Sequence, residues 1–213
     1  MRRNNAFLGI LPQALAQLKI NIIDPFFGEN DLDKHTGEGR PLRSEIFTKD
    51  KFEQYAVTLA KRHILVSDEK KELLLKRLAE NEHILLEVYT LLSDTIKQNK
   101  QITPAAEWLV DNFYLIEEQI YTGKKHLPKG YSKTLPRLLK GASAGLPRVY
   151  DIAVEMISHS DGHVDLTNLT DFVNAYQNIT ALKLGELWAI PIMLRLGLIE
   201  NLRRISILIA EEI

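Results

Sequence analysis

The sequence predicts an all-α protein, a multi-helix bundle with an irregular N-terminal segment and a Pro/Gly-rich central loop. Three observations carry this. Apolar residues recur past Phe47 at the three- and four-residue steps of a helix face. Helix-start signals precede several of those runs, and Gly/Pro clusters separate others. Nowhere does a sustained apolar/polar alternation sit between hairpin turns, as a sheet would require. The pattern suits six to eight helices around a common core.

The elements follow in order. Residues 1–47 read as an irregular arm, with a short helix from Pro12 to about Ile22 and a polar loop around 28–41 holding Gly28, Gly37, Gly39 and Pro41. Residues 48–213 read as the helical domain. Thr48 and Ser67 are candidate N-caps. Leu74, Leu78, Leu85, Val88, Leu92 and Ile96 share one helix face, although Glu80, Asn81 and Glu82 leave open whether that stretch is one helix or two. Thr103-Pro104 is a helix start, a cap residue followed by proline at the first helical position. The stripe Leu109, Phe113, Ile116, Ile120 continues that helix to about Gly123. Residues 124–147 hold Pro128, Gly130, Pro136, Gly141, Gly145 and Pro147, predicting a long ordered loop or two short helices. Val149, Ile152, Ala153, Met156 and Ile157 form the next stripe, ended by Asp161-Gly162. Asp165 caps a helix with Leu166, Leu169, Phe172, Val173 and Tyr176 inward.

The last helix runs from about Leu184. Residues 187–199 are apolar on every side, which belongs inside a core, with Pro191 predicting a kink or a helix start near Leu187. Arg195 is the only charge there and, once buried, calls for a carboxylate, with Asp111 or Glu118 as candidates. Ile205, Ile207, Leu208 and Ile209 have little chain left to cover them and are expected to meet another subunit or further sequence. The absence of a cap, Gly or Pro after them reads as a fragment of a longer protein.

Composition limits the chemistry. The chain has 213 residues, 26% charged, with a net charge of -1, so it has no global bias toward polyanions. It has no cysteine, which excludes disulfides, thiolate metal sites and cysteine nucleophiles. The apolar run 187–199 is shorter than the roughly 20 residues of a membrane span.

Several residue groups are candidate sites. Asp31-Leu-Asp33 spells a metal-diphosphate motif, but it sits in a Gly-rich loop without a preceding strand and reads as a solvated turn. Glu107, Asp111 and Glu118 share a helix face and are expected to pair with Arg137, Arg148 or Arg203 across the bundle. His159, Asp161 and His163 are a weak metal-ligand set and read better as a helix-ending turn. Lys125, Lys129, Lys133, Arg137 and Arg148 surround Tyr131, giving a basic loop with aromatic interleaving that suits phosphates, RNA or lipid headgroups.

Several stretches carry a resemblance. Ile102-Thr-Pro-Ala-Ala-Glu-Trp-Leu-Val-Asp-Asn-Phe113, Leu127-Pro-Lys-Gly-Tyr131, Leu135-Pro-Arg-Leu138, Gly145-Leu-Pro-Arg-Val-Tyr-Asp151, Leu184-Gly-Glu-Leu-Trp-Ala-Ile190 and Glu200-Asn-Leu-Arg-Arg204 are similar, in this order, to stretches of bacterial cyclic β-1,2-glucan synthases. Arg40-Pro-Leu-Arg-Ser-Glu-Ile-Phe47 and Leu78-Ala-Glu-Asn-Glu82 agree more loosely. The resemblance covers roughly residues 40–204. It implies a large inner-membrane glycosyltransferase that builds and cyclises glucan from UDP-glucose with a divalent metal. This chain resembles its N-terminal helical part on the cytoplasmic face, with the catalytic modules downstream. No cofactor is expected for this segment. Expected partners are downstream domains of the same synthase or another subunit, and the membrane surface; nucleic acid is not. Two other readings stay open: a free-standing adaptor or nucleic-acid-binding protein using the basic loop 124–148, and a small metal-dependent enzyme.

Overall fold

The computed structural model describes residues 41–42, 45–66, 72–127, 129–160 and 162–212. Among them are seven α-helices: α1 (Lys49–Arg62), α2 (Leu73–Lys97), α3 (Pro104–Asp111), α4 (Phe113–His126), α5 (Arg148–His159), α6 (Leu166–Gln177) and α7 (Leu184–Glu211). Two two-residue strands, β1 (Leu65–Val66) and β2 (Arg137–Leu138), pair antiparallel with Leu65 opposite Leu138 and Val66 opposite Arg137. The described residues form an all-α bundle with one small ladder. The expected helix at 12–22, the loop 28–41 with Asp31 and Asp33, and the Ser67 cap lie outside the described residues.

Local signals set most helix ends. The Thr103 side chain accepts from the Ala106 N–H at 3.2 Å, with Pro104 in the first turn. Asp165 caps α6 by accepting from the Asn168 N–H at 2.7 Å. Thr48 occupies the N-cap of α1 without a side-chain cap bond. The 74–96 stretch is one helix: Asn81 is buried within it, so the polar residues at 80–82 do not break it. Its stripe is buried from Leu74 to Leu92, while Ile96 is exposed.

Two boundaries differ from the expectation. The stripe from Leu109 to Ile120 is carried by two helices, not one. They meet at Asn112, whose Nδ2 donates to the Trp108 carbonyl at 2.8 Å, a local bond that competes with the helix ladder. The second helix passes through Gly123 and ends at His126. Gly123 faces Leu78, Leu196 and Ile199, and packing there holds the extra turn.

The core is built around α7. It packs on α2, α4 and α5, and Ala189 to Ile199 is buried except for half-buried Pro191 and Leu198. The central-helix reading of 187–199 therefore holds, although Trp188 is exposed. The helix begins at Leu184, and Pro191 lies inside it. Beyond Arg204, Ile209 is buried and Ile205 packs on the core, while Ile207 and Leu208 are half-buried, so this chain's own helices cover part of that end.

α1 and α6 form a second layer, with Phe52 against Phe172 at 4.8 Å between ring centroids. α5 lies between the layers. It meets α7 at Gly197, where Ile157 and Val154 pack against the bare backbone, and α1 through Glu155, which accepts from Tyr55 (2.6 Å) and Arg62 (2.8 Å).

Candidate functional site

The Pro/Gly segment is pinned from several directions. Gly130 has φ +89°, a backbone that disfavours any Cβ. Its N–H donates to Glu72 at 2.8 Å, and the Ser132 hydroxyl donates to the same carboxylate. Tyr131 donates its hydroxyl to the Gly185 carbonyl at the start of α7, at 2.9 Å. Behind a 3-10 turn at Tyr131–Thr134, β2 pairs with β1, and Leu139 N–H donates to the Ile64 carbonyl at 2.8 Å. The segment is thus an ordered loop with a turn and a strand, fastened to α2, α7 and the end of α1.

This fastening sorts the expected basic surface in two. Lys125, Lys129 and Lys133 are exposed, and Tyr131 is half-buried. Arg137 and Arg148 point inward, each 2% exposed. Arg137 donates to the Gly145 carbonyl at 3.3 Å and, at a longer 3.5 Å, to that of Ser132. Arg148 donates to both Glu186 oxygens (2.6 and 2.8 Å) and to the Ala181 carbonyl (2.9 Å). Neither belongs to a surface. Lysine stems reach solvent easily, whereas these two guanidinium forks satisfy buried acceptors.

The expected ion pairs fall elsewhere too. Glu107, Asp111 and Glu118 are exposed and pair with none of Arg137, Arg148 or Arg203. Arg195, 6% exposed, donates its Nε to Gln119 Oε1 at 3.0 Å, so its partner is an amide in place of Asp111 or Glu118.

The strongest buried cluster was not foreseen. Glu200, 1% exposed, accepts from Arg77 Nε (2.9 Å) and Nη2 (2.8 Å), Asn81 Nδ2 (3.0 Å), Arg203 Nη2 (3.1 Å) and Arg204 Nε (3.0 Å). Burial alone would push its carboxyl up, but the Arg77 bonds and charge, the Asn81 bond and the Arg203 charge hold it down at about 2. The spacing of Glu200 with Arg203 and Arg204 is visible in the sequence; the reach to Arg77 is not.

A second buried set is His63, whose Nδ1 lies 2.8 Å from the Tyr176 hydroxyl and whose Nε2 lies 2.9 Å from Asp151 Oδ2. The His63 side chain is 4% exposed and Tyr176 is fully buried, so the set ties α1, α5 and α6 together. His159 is equally committed. Its Nδ1 donates to the Glu45 carbonyl at 2.8 Å, its ring stacks on Phe47 at 3.9 Å, and its Nε2 lies 3.6 Å from Glu155. His163 is exposed, and Asp161 lies outside the described residues. Among the described residues no three His, Asp or Glu side chains converge as a metal site.

No family model matches the chain. Over 128 residues, 60% of its length, the chain is 39% identical to the cyclic β-(1,2)-glucan synthase NdvB of Rhizobium meliloti (strain 1021). The chain is similar in sequence to a cyclic β-glucan synthase. It spans only 4% of that protein's length.

The motifs by which the sequence resembles glucan synthases bond to one another in the fold. Arg148 meets Glu186, Tyr131 meets Gly185, Arg137 meets Gly145, and Glu200 gathers Arg203 and Arg204. These bonds close the loop onto α7 and fix α7 against α2 and α5.

Proposed function

We propose that this chain is a non-catalytic helical module of a membrane-bound cyclic β-1,2-glucan synthase, with a structural or docking role at the cytoplasmic face of the bacterial inner membrane. One observation carries the reading: the residues of the synthase-like motifs engage each other as buried ion pairs and loop ties. Groups that act on a substrate need access and a poised protonation state. Glu186 and Glu200 are buried, and each is already held by arginine.

In this reading UDP-glucose and a divalent metal bind downstream modules of the synthase. This segment contacts those modules, another subunit or the membrane surface, through exposed Lys125, Lys129 and Lys133. No described helix is long and apolar enough to cross a membrane.

Two experiments test it. The purified chain, incubated with labelled UDP-glucose and a divalent metal, should neither retain label nor produce glucan; label on the protein or in glucan refutes the non-catalytic reading. Replacing Lys125, Lys129 and Lys133 by Glu should change stability by no more than about 0.5 kcal/mol, as surface changes usually do. In the full-length synthase the same triple change should impair assembly or glucan output. Normal output and normal assembly would remove the docking role.

A further inference from the structure

Arg195, like Arg137, is a buried arginine with no carboxylate partner among the described residues. Arg148 has Glu186, Arg203 has Glu200, and Arg137 has two carbonyls. Arg195 has the Gln119 amide oxygen at 3.0 Å. No carboxylate bonds it among the described residues, and the expected acids, Asp111 and Glu118, are exposed. Burial draws the guanidinium pKa down with no opposing charge. The arginine is the only charge between Leu187 and Ile199, on the helix around which the core is built. A cation so placed destabilises a fold unless something neutralises it.

The donors left over are specific. Arg195 Nε is used by Gln119 Oε1, which leaves the two Arg195 Nη groups and the Gln119 Nε2 amide with no bond to a described residue. Together they are a planar fork plus an amide, with one positive charge and no acceptor. That matches a carboxylate, which accepts two parallel N–H bonds and carries one negative charge. A phosphate, at about -1.5 to -2, would leave excess negative charge in an apolar seam. One helical turn from Gln119 on α4, Leu115 is half-buried, and one turn from Arg195 on α7, Pro191 and Leu198 are half-buried, so the seam keeps an apolar margin at the surface.

We propose that the α4–α7 seam at Arg195 and Gln119 is a carboxylate-binding site, filled by an Asp or Glu side chain of a polypeptide segment docking across the two helices. The margin supplies the apolar contact that a free carboxylate ion would not use. The site is a property of this chain and does not depend on its assignment to a synthase.

The test uses the full chain, followed by NMR of the Gln119 side-chain amide and the Arg195 Nε–H. Sodium acetate should shift both signals saturably, and sodium chloride at equal ionic strength should not. Arg195→Lys, which keeps the charge and loses the fork, should weaken acetate binding at least tenfold, and Arg195→Met should abolish it. A short peptide with one Glu between leucines should bind at least tenfold tighter than acetate. Arg195→Met should also melt no lower than the unmodified chain in chloride, since it removes a charge that has an amide but no carboxylate to hold it. Four results would each overturn the proposal: no difference between acetate and chloride, tighter binding of inorganic phosphate than acetate, a peptide no tighter than acetate, or a lower melting point for Arg195→Met.

Discussion

Replacing Glu200 by Gln should be among the most damaging single changes to this fold. The carboxyl is held at about 2 against an ordinary 4.5. At 1.36 kcal/mol for each tenfold change in acidity, the ionised form is favoured in the folded chain by about 3 kcal/mol. Gln keeps the shape and removes that charge from Arg77, Asn81, Arg203 and Arg204. Breaking a buried pair by removing one partner commonly costs about 3–5 kcal/mol, in agreement. For a chain of this size, a loss of about 3 kcal/mol corresponds to a fall in Tm of about 6–12 °C. The pH dependence carries the sign. A folded-state pKa below the unfolded one gives stability that is complete above 4.5 and is lost as pH falls through about 2. The gap between the parent chain and Glu200→Gln should therefore be full at pH 7 and narrow steadily below pH 4.5. Urea unfolding of both proteins from pH 7 downward measures it. A gap under about 1 kcal/mol at pH 7, or one that does not narrow in acid, refutes the reasoning.

Two further outcomes concern backbone and caps. Gly185→Ala should raise stability by up to about 1 kcal/mol, since its Cβ meets open space in a helix, whereas Gly197→Ala should be less stable than Gly185→Ala by about 1–3 kcal/mol, because its Cβ would stand 2.7 Å from Ile157 Cδ1; paired thermal melts decide this. Thr103→Ala and Asp165→Ala should each lose about 1 kcal/mol through the missing cap bond, and urea midpoints unchanged from the parent would contradict the cap assignment.

The sequence determined the helices and their buried faces. Ala106, Leu109, Phe113, Ile116 and Ile120 lie inside because a helix of 3.6 residues per turn places them on one stripe, whether or not Asn112 interrupts the ladder. The caps at Thr103 and Asp165 and the burial around Ile190 to Ile199 follow from equally local rules. Tertiary structure decided which acid each arginine takes. Arg148 and Glu186 are 38 residues apart, Arg195 and Gln119 76, and Arg77 and Glu200 123. The chain holds more acids than buried arginines, and their helical faces do not discriminate among them. Only the way helices pack leaves Glu186 and Glu200 in the interior and Glu107, Asp111 and Glu118 in water. The same holds for the basic loop. Its lysines and arginines read alike in sequence, but the ladder between β1 and β2 turns Arg137 inward, and Glu186, brought by α7, draws in Arg148. Glu186 and Glu200 are tolerated in the core because the fold has placed arginines against them, and that placement is a sum over many distant contacts that no local pattern carries.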